Sequence, residues 1–207
     1  MKILLLSSRR SAYGAQVLEA ARRASLEIAG AVIEEQPSRG GWRRIWRYIR
    51  RHGLPAVLAR GIELGLARIA GDFKTGETVE EAATRLQIPF QRLENLNMPA
   101  AQAVIARYGP DAGLLAGTRI LKGDCVALFP KGLINAHLGH LPKYRGNYGN
   151  RWALLNGERC GVSVYLLDAG LDTGPILKVQ CLDLQPGESL VASEERFTSP
   201  TFALLKG

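Results

Sequence analysis

The chain opens on an uninterrupted apolar run, Ile3-Leu4-Leu5-Leu6, that ends in Ser7 and Ser8. A run this short, without polar alternation, predicts a parallel strand buried on both faces that enters a loop at its carboxyl end. Over 14–25, Ala15, Leu18, Ala21 and Ala24 recur at helical spacing with Arg22 and Arg23 outside. Residues Ile28 to Ile33 are a second strand candidate. Strand, helix and strand in this order predict an α/β domain, doubly wound around a mostly parallel sheet.

Further helices are predicted over 98–108 and 147–156, the latter closed by Asn156-Gly157, with a short one inside 72–87. Further strands are predicted at Ile88–Phe90, Asp111–Ala116, Lys131–His137, Gly161–Leu167 and Pro175–Leu182. After the second strand, Pro37, Ser38, Gly40 and Gly41 break the chain. Trp42, Ile45, Trp46 and Ile49 then form one helical face, and arginines fill the rest of the wheel. A second amphipathic stretch runs from near Pro55 to Ile69. No internal repeat is present, so residues 1–207 read as a single catalytic-size domain with a basic helical excursion over about 39–70.

Charge sharpens the excursion. The formal net charge is +8, from 27 basic and 19 acidic residues. Residues 1–70 hold thirteen basic and five acidic side chains, and the remainder holds fourteen of each. Six arginines between Arg39 and Arg51 have no acid among them. Three uses fit such a segment: a solvated helix face, a peripheral contact with an anionic membrane, or a grip on a polyanionic acceptor. Cys125, Cys160 and Cys181 are odd in number and widely spaced, so they read as reduced, mostly buried thiols of a cytoplasmic protein. No apolar run reaches the ~18 residues of a membrane span, and Ile3–Leu6 is too short for a signal-peptide core.

The candidate chemistry lies between Ile134 and Leu177. On a strand over 133–137, Asn135 and His137 point to the same face. An amide donor and an imidazole there can both reach one oxygen, the composition of an oxyanion-stabilising pair. Asp172, on a loop with glycines on either side, could orient the imidazole. Pro142 and Gly146 bracket a loop that would hold its shape. Taken alone, an Asn-x-His pair is more often packing and loop hydrogen bonding than catalysis.

The larger pattern carries more. Asn135-Ala136-His137, Pro142-Lys143-Tyr144-Arg145-Gly146 and Asp172-Thr173-Gly174, in this order, closely resemble the folate-dependent formyltransferase family. Leu115 to Leu121 is similar to the segment that lines that family's pterin pocket. The resemblance covers 98–187 well and 1–35 loosely. It implies a Rossmann-like formyltransferase fold and formyl transfer from 10-formyltetrahydrofolate to a primary amine, without a metal. Asn135 would donate to the formyl oxygen, and His137 would share that oxygen. Asp172 would support the charge on His137 and help move a proton from the amine. Main-chain groups near Arg119, Ile120 and Leu121, and near Leu167 and Asp168, would hold the pterin.

The acceptor is expected to be a small-molecule amine, preferably an amino sugar on a nucleotide, and nucleic acid is not expected. Hydrolysis of the same donor, or a non-catalytic folate-binding or membrane-associated role, are the alternatives. Leu138-Gly139-His140-Leu141 departs from the family's usual residues after the histidine. Ser7 to Ser11 stand where the glycinamide ribonucleotide branch has a glycine-rich phosphate loop, and nothing after Gly187 matches the helper domain of the tRNA branch. Arg145 is expected in a loop-fixing ion pair and Trp152 in the core. Arg9 and Arg10 fit an acceptor anion or a solvated turn equally. The oligomeric state is not legible.

Overall fold

The apolar N-terminal run becomes β1, Ile3–Ser8, and all six of its residues are buried. The computed structural model describes residues 1–9, 11–35, 49–50, 53, 76–188 and 193. After β1 come α1 (Ala12–Arg23), β2 (Ile28–Glu34), α2 (Val79–Arg85), β3 (Phe90–Leu93), α3 (Pro99–Tyr108) and β4 (Ala112–Ala116). They are followed by α4 (Gly123–Val126), β5 (Leu133–His137), α5 (Gly149–Leu155), β6 (Gly161–Leu166) and β7 (Ile176–Cys181). The seven strands form one sheet in the order β3-β2-β1-β4-β5-β6-β7. The first five are parallel, whereas β6 runs antiparallel to β5 and β7 antiparallel to β6.

Both faces of β1 are used. Ile3 and Leu5 pack with Val17, Leu18 and Ala21 of α1 and Val79 and Ala83 of α2. Leu4 and Leu6 pack on the opposite face with Ile105 of α3, Cys125 of α4, Phe129 and Leu133. This is the two-sided burial expected of a parallel strand flanked by helices. The chain winds one way from β1 to β2 and the other way to β4. The sheet therefore has its switch point between the carboxyl ends of β1 and β4, where ligands gather in open α/β sheets.

Two local expectations differ. The third strand forms at Phe90–Leu93 instead of Ile88–Phe90. Gln87 sits at φ 56° and Pro89 has no N–H, so pairing with β2 begins only at Phe90 opposite Ala31. The four-residue α4 was not legible, because so short a segment has no apolar period to read. A Thr78–Glu81 capping box starts α2, with each side chain bonded to the other residue's backbone N–H.

Residues 1–35 with 77–207 form one compact unit and residues 36–76 another. The basic excursion over 39–70 lies outside the described residues apart from Ile49, Arg50 and Gly53. Within it Gly53, at φ 80°, donates its N–H to the Ile49 carbonyl (2.8 Å), as at a helix end. Among the described residues no helix is long and apolar enough to cross a membrane. Cys125 and Cys160 are buried and Cys181 half-buried, all unbridged. Burial, aided by the Glu34 charge, pushes the Cys125 thiol up to about 11.

Leu5, fully buried in the centre of β1, is the clearest test of this core. Leu5→Ala should lower stability by about 2–5 kcal/mol, read as a lower urea midpoint at unchanged slope.

Candidate active site

Asn135 and His137 alternate with Ile134 and Ala136 on β5. Ile134 and Ala136 pack toward α1 and α2, while Leu133 joins the cluster on the other face. The period of two therefore puts Asn135 and His137 on the Leu133 side. Antiparallel pairing sets Tyr165 opposite Asn135 and Ser163 opposite His137 on that same face. Leu115, Leu121 and Leu167 belong to the cluster there and form its apolar surroundings.

Asp172 reaches this group from the loop between β6 and β7. Its Oδ1 accepts from the Tyr165 hydroxyl (2.5 Å) and its Oδ2 from the Gly146 N–H (2.7 Å). Oδ2 also lies 3.5 Å from His137 Nδ1. Asn135 Nδ2 donates to the Tyr165 oxygen (3.0 Å). A continuous chain thus runs Asn135–Tyr165–Asp172–His137. Asp172 itself is at φ 52°, a left-handed conformation that costs a non-glycine residue about 1–3 kcal/mol. Burial, then the bond to Asp172, raise the Tyr165 pKa well above the usual phenol range, so the hydroxyl keeps its proton at neutral pH.

The other His137 nitrogen is also engaged. Nε2 donates to the Tyr144 carbonyl (2.5 Å), an atom that only accepts. The loop carrying Tyr144 is held over His137 by Ser163, whose hydroxyl donates to the Gly139 carbonyl (2.7 Å) and accepts from Leu141 N–H (2.9 Å). Gly139 permits this approach: a Cβ there would stand 2.6 Å from His137 Nε2 and 2.7 Å from the Tyr144 oxygen. Gly174 has the same role under the Asp172 loop, where a Cβ would fall 1.8 Å from the Leu166 carbonyl.

The sequence model of the formyl transferase family matches residues 1–205. The chain belongs to this family. It is 42% identical over 110 residues to a methionyl-tRNA formyltransferase of Roseiflexus sp. (strain RS-1), covering 52% of this chain and 34% of that one. A methionyl-tRNA formyltransferase of Solibacter usitatus (strain Ellin6076) is 32% identical over 145 residues, 66% of this chain and 47% of its own. The matches thus span from a third to a half of the relatives' length. Among solved structures, glycinamide ribonucleotide transformylase 1 from Symbiobacterium toebii superposes with a TM-score of 0.67 at 19% identity. That superposition covers 100% of this chain and 84% of the other, and it shows the shared formyltransferase fold.

The segment after β4 is braced from the neighbouring strand ends. Arg119 turns its guanidinium inward, with Nε 2.6 Å from Oε1 of the fully buried Glu34. Nε makes no directed hydrogen bond, so the contact is charge on charge. The same Oε1 accepts from Leu96 N–H (2.9 Å). Asn97 donates to the Ile120 carbonyl (3.0 Å) and accepts from Lys122 N–H (2.8 Å). Thr118 donates to the Arg119 carbonyl (3.0 Å). Ile120 projects outward at 80% exposed, and Leu121 is buried. Leu167 is half-buried and bonded through its N–H to the Leu133 carbonyl (2.8 Å). Asp168 is exposed, and its Oδ1 closes the loop by accepting from Gly170 N–H (3.0 Å) and the Thr173 hydroxyl (2.7 Å).

Several expectations are corrected. Arg145 is exposed and forms no ion pair among the described residues; Lys143 with Glu158 supplies the loop's ion pair instead. Trp152 is 57% exposed, because α5 buries Gly149, Asn150 and Ala153. Arg9 lies exposed in the turn after β1, as one of its two readings had it, with Glu80 (3.5 Å) and Glu35 (3.9 Å) beside its guanidinium. Arg10 lies outside the described residues. His140 is half-buried beside Gly161. Tyr165, Glu34, Asn97 and Gly139 were missed, and only the strict alternation of β6 could have pointed to Tyr165. A depression of about 310 Å³ lined by Arg22, Leu26, Ile28 and Leu86 lies at the amino end of β2, away from the ends where such folds bind ligands.

Two substitutions test the support. Gly139→Ala should part His137 from the Tyr144 carbonyl, seen as a changed chemical shift of the His137 Nε2 proton. Arg119→Ala should strand Glu34 without its counter-charge and cost about 3–5 kcal/mol in chemical denaturation.

Proposed function

We propose that this chain transfers a formyl group from 10-formyltetrahydrofolate to a primary amine. The observation that carries the reading is the chain Asn135–Tyr165–Asp172–His137, which brings the three motif residues to one face beside Leu121 and Leu167. The fit to the folate rests on two features. Leu121 keeps both its N–H and its carbonyl without a partner among the described residues, a donor and an acceptor for the edge of a pterin. Half-buried Leu167 offers its ring apolar surface.

When bound, the folate supplies an electrophilic formyl carbon. The residues of this chain supply the rest. Asn135 Nδ2 has two hydrogens, and Tyr165 takes one. The second is available to an oxygen that gains negative charge, and one such aimed donor is worth about 10²–10³ in rate. Asp172 can accept the proton that the attacking amine loses, directly or through water. His137 adds the second polar group at this face. Both of its nitrogens are engaged in the closed loop, so sharing the oxygen requires Nε2 to leave the Tyr144 carbonyl.

The acceptor reading rests on chemistry and exclusion. A nucleotide-linked amino sugar would present a primary amine to the site, and its phosphates would suit a chain with a formal net charge of +8. The similarity to enzymes named for methionyl-tRNA favours a second reading, an amine carried on tRNA. The family membership favours activity over a purely folate-binding role.

The test supplies 10-formyltetrahydrofolate with a nucleotide-linked amino sugar, methionyl-tRNA or glycinamide ribonucleotide. Formylation of one acceptor at least tenfold faster than formate release without acceptor is expected. Rapid formate release regardless of acceptor would make the protein a hydrolase. Asn135→Ala should lower kcat about 10²–10³-fold, and His137→Ala should abolish turnover. Unchanged turnover in either variant contradicts the assignment.

A further inference from the structure

We infer that Tyr165 is a positioning residue that fixes which end of the Asn135 amide faces the reacting oxygen. This rests on the formyl-transfer reading of the same site.

The proton on the phenol sets the direction of both hydrogen bonds. Tyr165 is buried, and its hydroxyl stands between two polar groups of opposite character. On one side lies the Asp172 carboxylate at 2.5 Å, which accepts. The hydroxyl hydrogen is therefore committed to Asp172, and its burial keeps that proton in place. Only lone pairs remain to face Asn135 at 3.0 Å. Lone pairs demand a donor, so Nδ2 turns toward Tyr165 and the carbonyl end turns away. The polarity of the carboxylate is passed through one hydroxyl to the amide on the neighbouring strand.

The consequence concerns sign. An amide with Nδ2 fixed offers its second hydrogen to an incoming oxygen. The same amide rotated by half a turn offers a carbonyl oxygen and repels developing negative charge. Nothing on β5 itself chooses between these states. The residue opposite on β6 does, because antiparallel pairing sets Asn135 against Tyr165. The same hydroxyl steadies Asp172 in its left-handed backbone, so one group orders the amide and the carboxylate together.

Tyr165→Phe removes the oxygen and keeps the ring. In the full chain with 10-formyltetrahydrofolate and the preferred acceptor, kcat should fall about ten- to a hundredfold. The KM for the folate should stay within about threefold. In an Asn135→Ala background the same change should cost clearly less than in the wild type, since the amide it orients is gone and only its hold on Asp172 remains. Wild-type kcat in Tyr165→Phe, or full additivity in the double variant, overturns the inference.

A second readout is independent of turnover. In ¹⁵N NMR of the unliganded protein, one Asn135 Nδ2 hydrogen should exchange with water more slowly than the other. Tyr165→Phe should abolish that difference. If the wild type transfers no formyl group, the formyl-transfer reading falls, and this measurement still decides the positioning role. Equal exchange of the two hydrogens in the wild type overturns it, whether or not the variant folds.

Discussion

The site depends on where the Asp172 carboxylate is held. One oxygen takes the Tyr165 hydroxyl, and the other takes the Gly146 N–H and faces His137. Four separate pieces of chain meet at this group: β5, β6, the loop before α5 and the loop before β7. A left-handed aspartate is an uncommon state for the backbone, and asparagine and aspartate adopt it more readily than other side chains. Its conformational cost is offset because each hydrogen bond to an ionised carboxylate is stronger than a neutral one. Remove the carboxylate and the two loops lose their common acceptor.

The fold prepares this meeting without building it directly. A fully parallel sheet would have sent the strand beside β5 in the same direction and needed a crossover to do so. The antiparallel β6 instead sets Tyr165 and Ser163 opposite Asn135 and His137, so donors and acceptors from two strands share one face. Ser163 then fixes the Gly139–Leu141 loop, and that loop brings the Tyr144 carbonyl to His137. On the neighbouring strand ends, the buried Glu34 ties Arg119 to Leu96, and Asn97 ties Ile120 to Lys122. The segment after β4 is thereby stiffened from behind, and the Leu121 N–H and carbonyl keep no partner among the described residues.

Much of this was legible from residues close in sequence. The Ile3–Leu6 run announced a doubly buried strand, and period two placed Asn135 and His137 on one face. The resemblance of the Asn135, Pro142 and Asp172 motifs to formyltransferases agrees with the family match over residues 1–205. What escaped depends on register and on long-range pairing. Tyr165 is thirty residues from Asn135, and only the β5–β6 alignment makes it a neighbour. Glu34, one residue past the predicted second strand, is fully buried against an arginine 85 positions away, which no local pattern signals. Trp152 misled because its size suggested core, whereas the helix turns small residues inward. The arginine excess, prominent in composition, belongs to a segment that lies outside the described residues apart from Ile49, Arg50 and Gly53.

The central claim is that Asn135, His137 and Asp172 surround the carbon that is transferred. A crystal structure with a non-hydrolysable 10-formyltetrahydrofolate analogue tests it most directly. The account predicts the formyl oxygen within hydrogen-bond distance of Asn135 Nδ2, with the pterin edge on the Leu121 main chain and its ring against Leu167. An analogue bound elsewhere, or a formyl group turned away from Asn135, would contradict it.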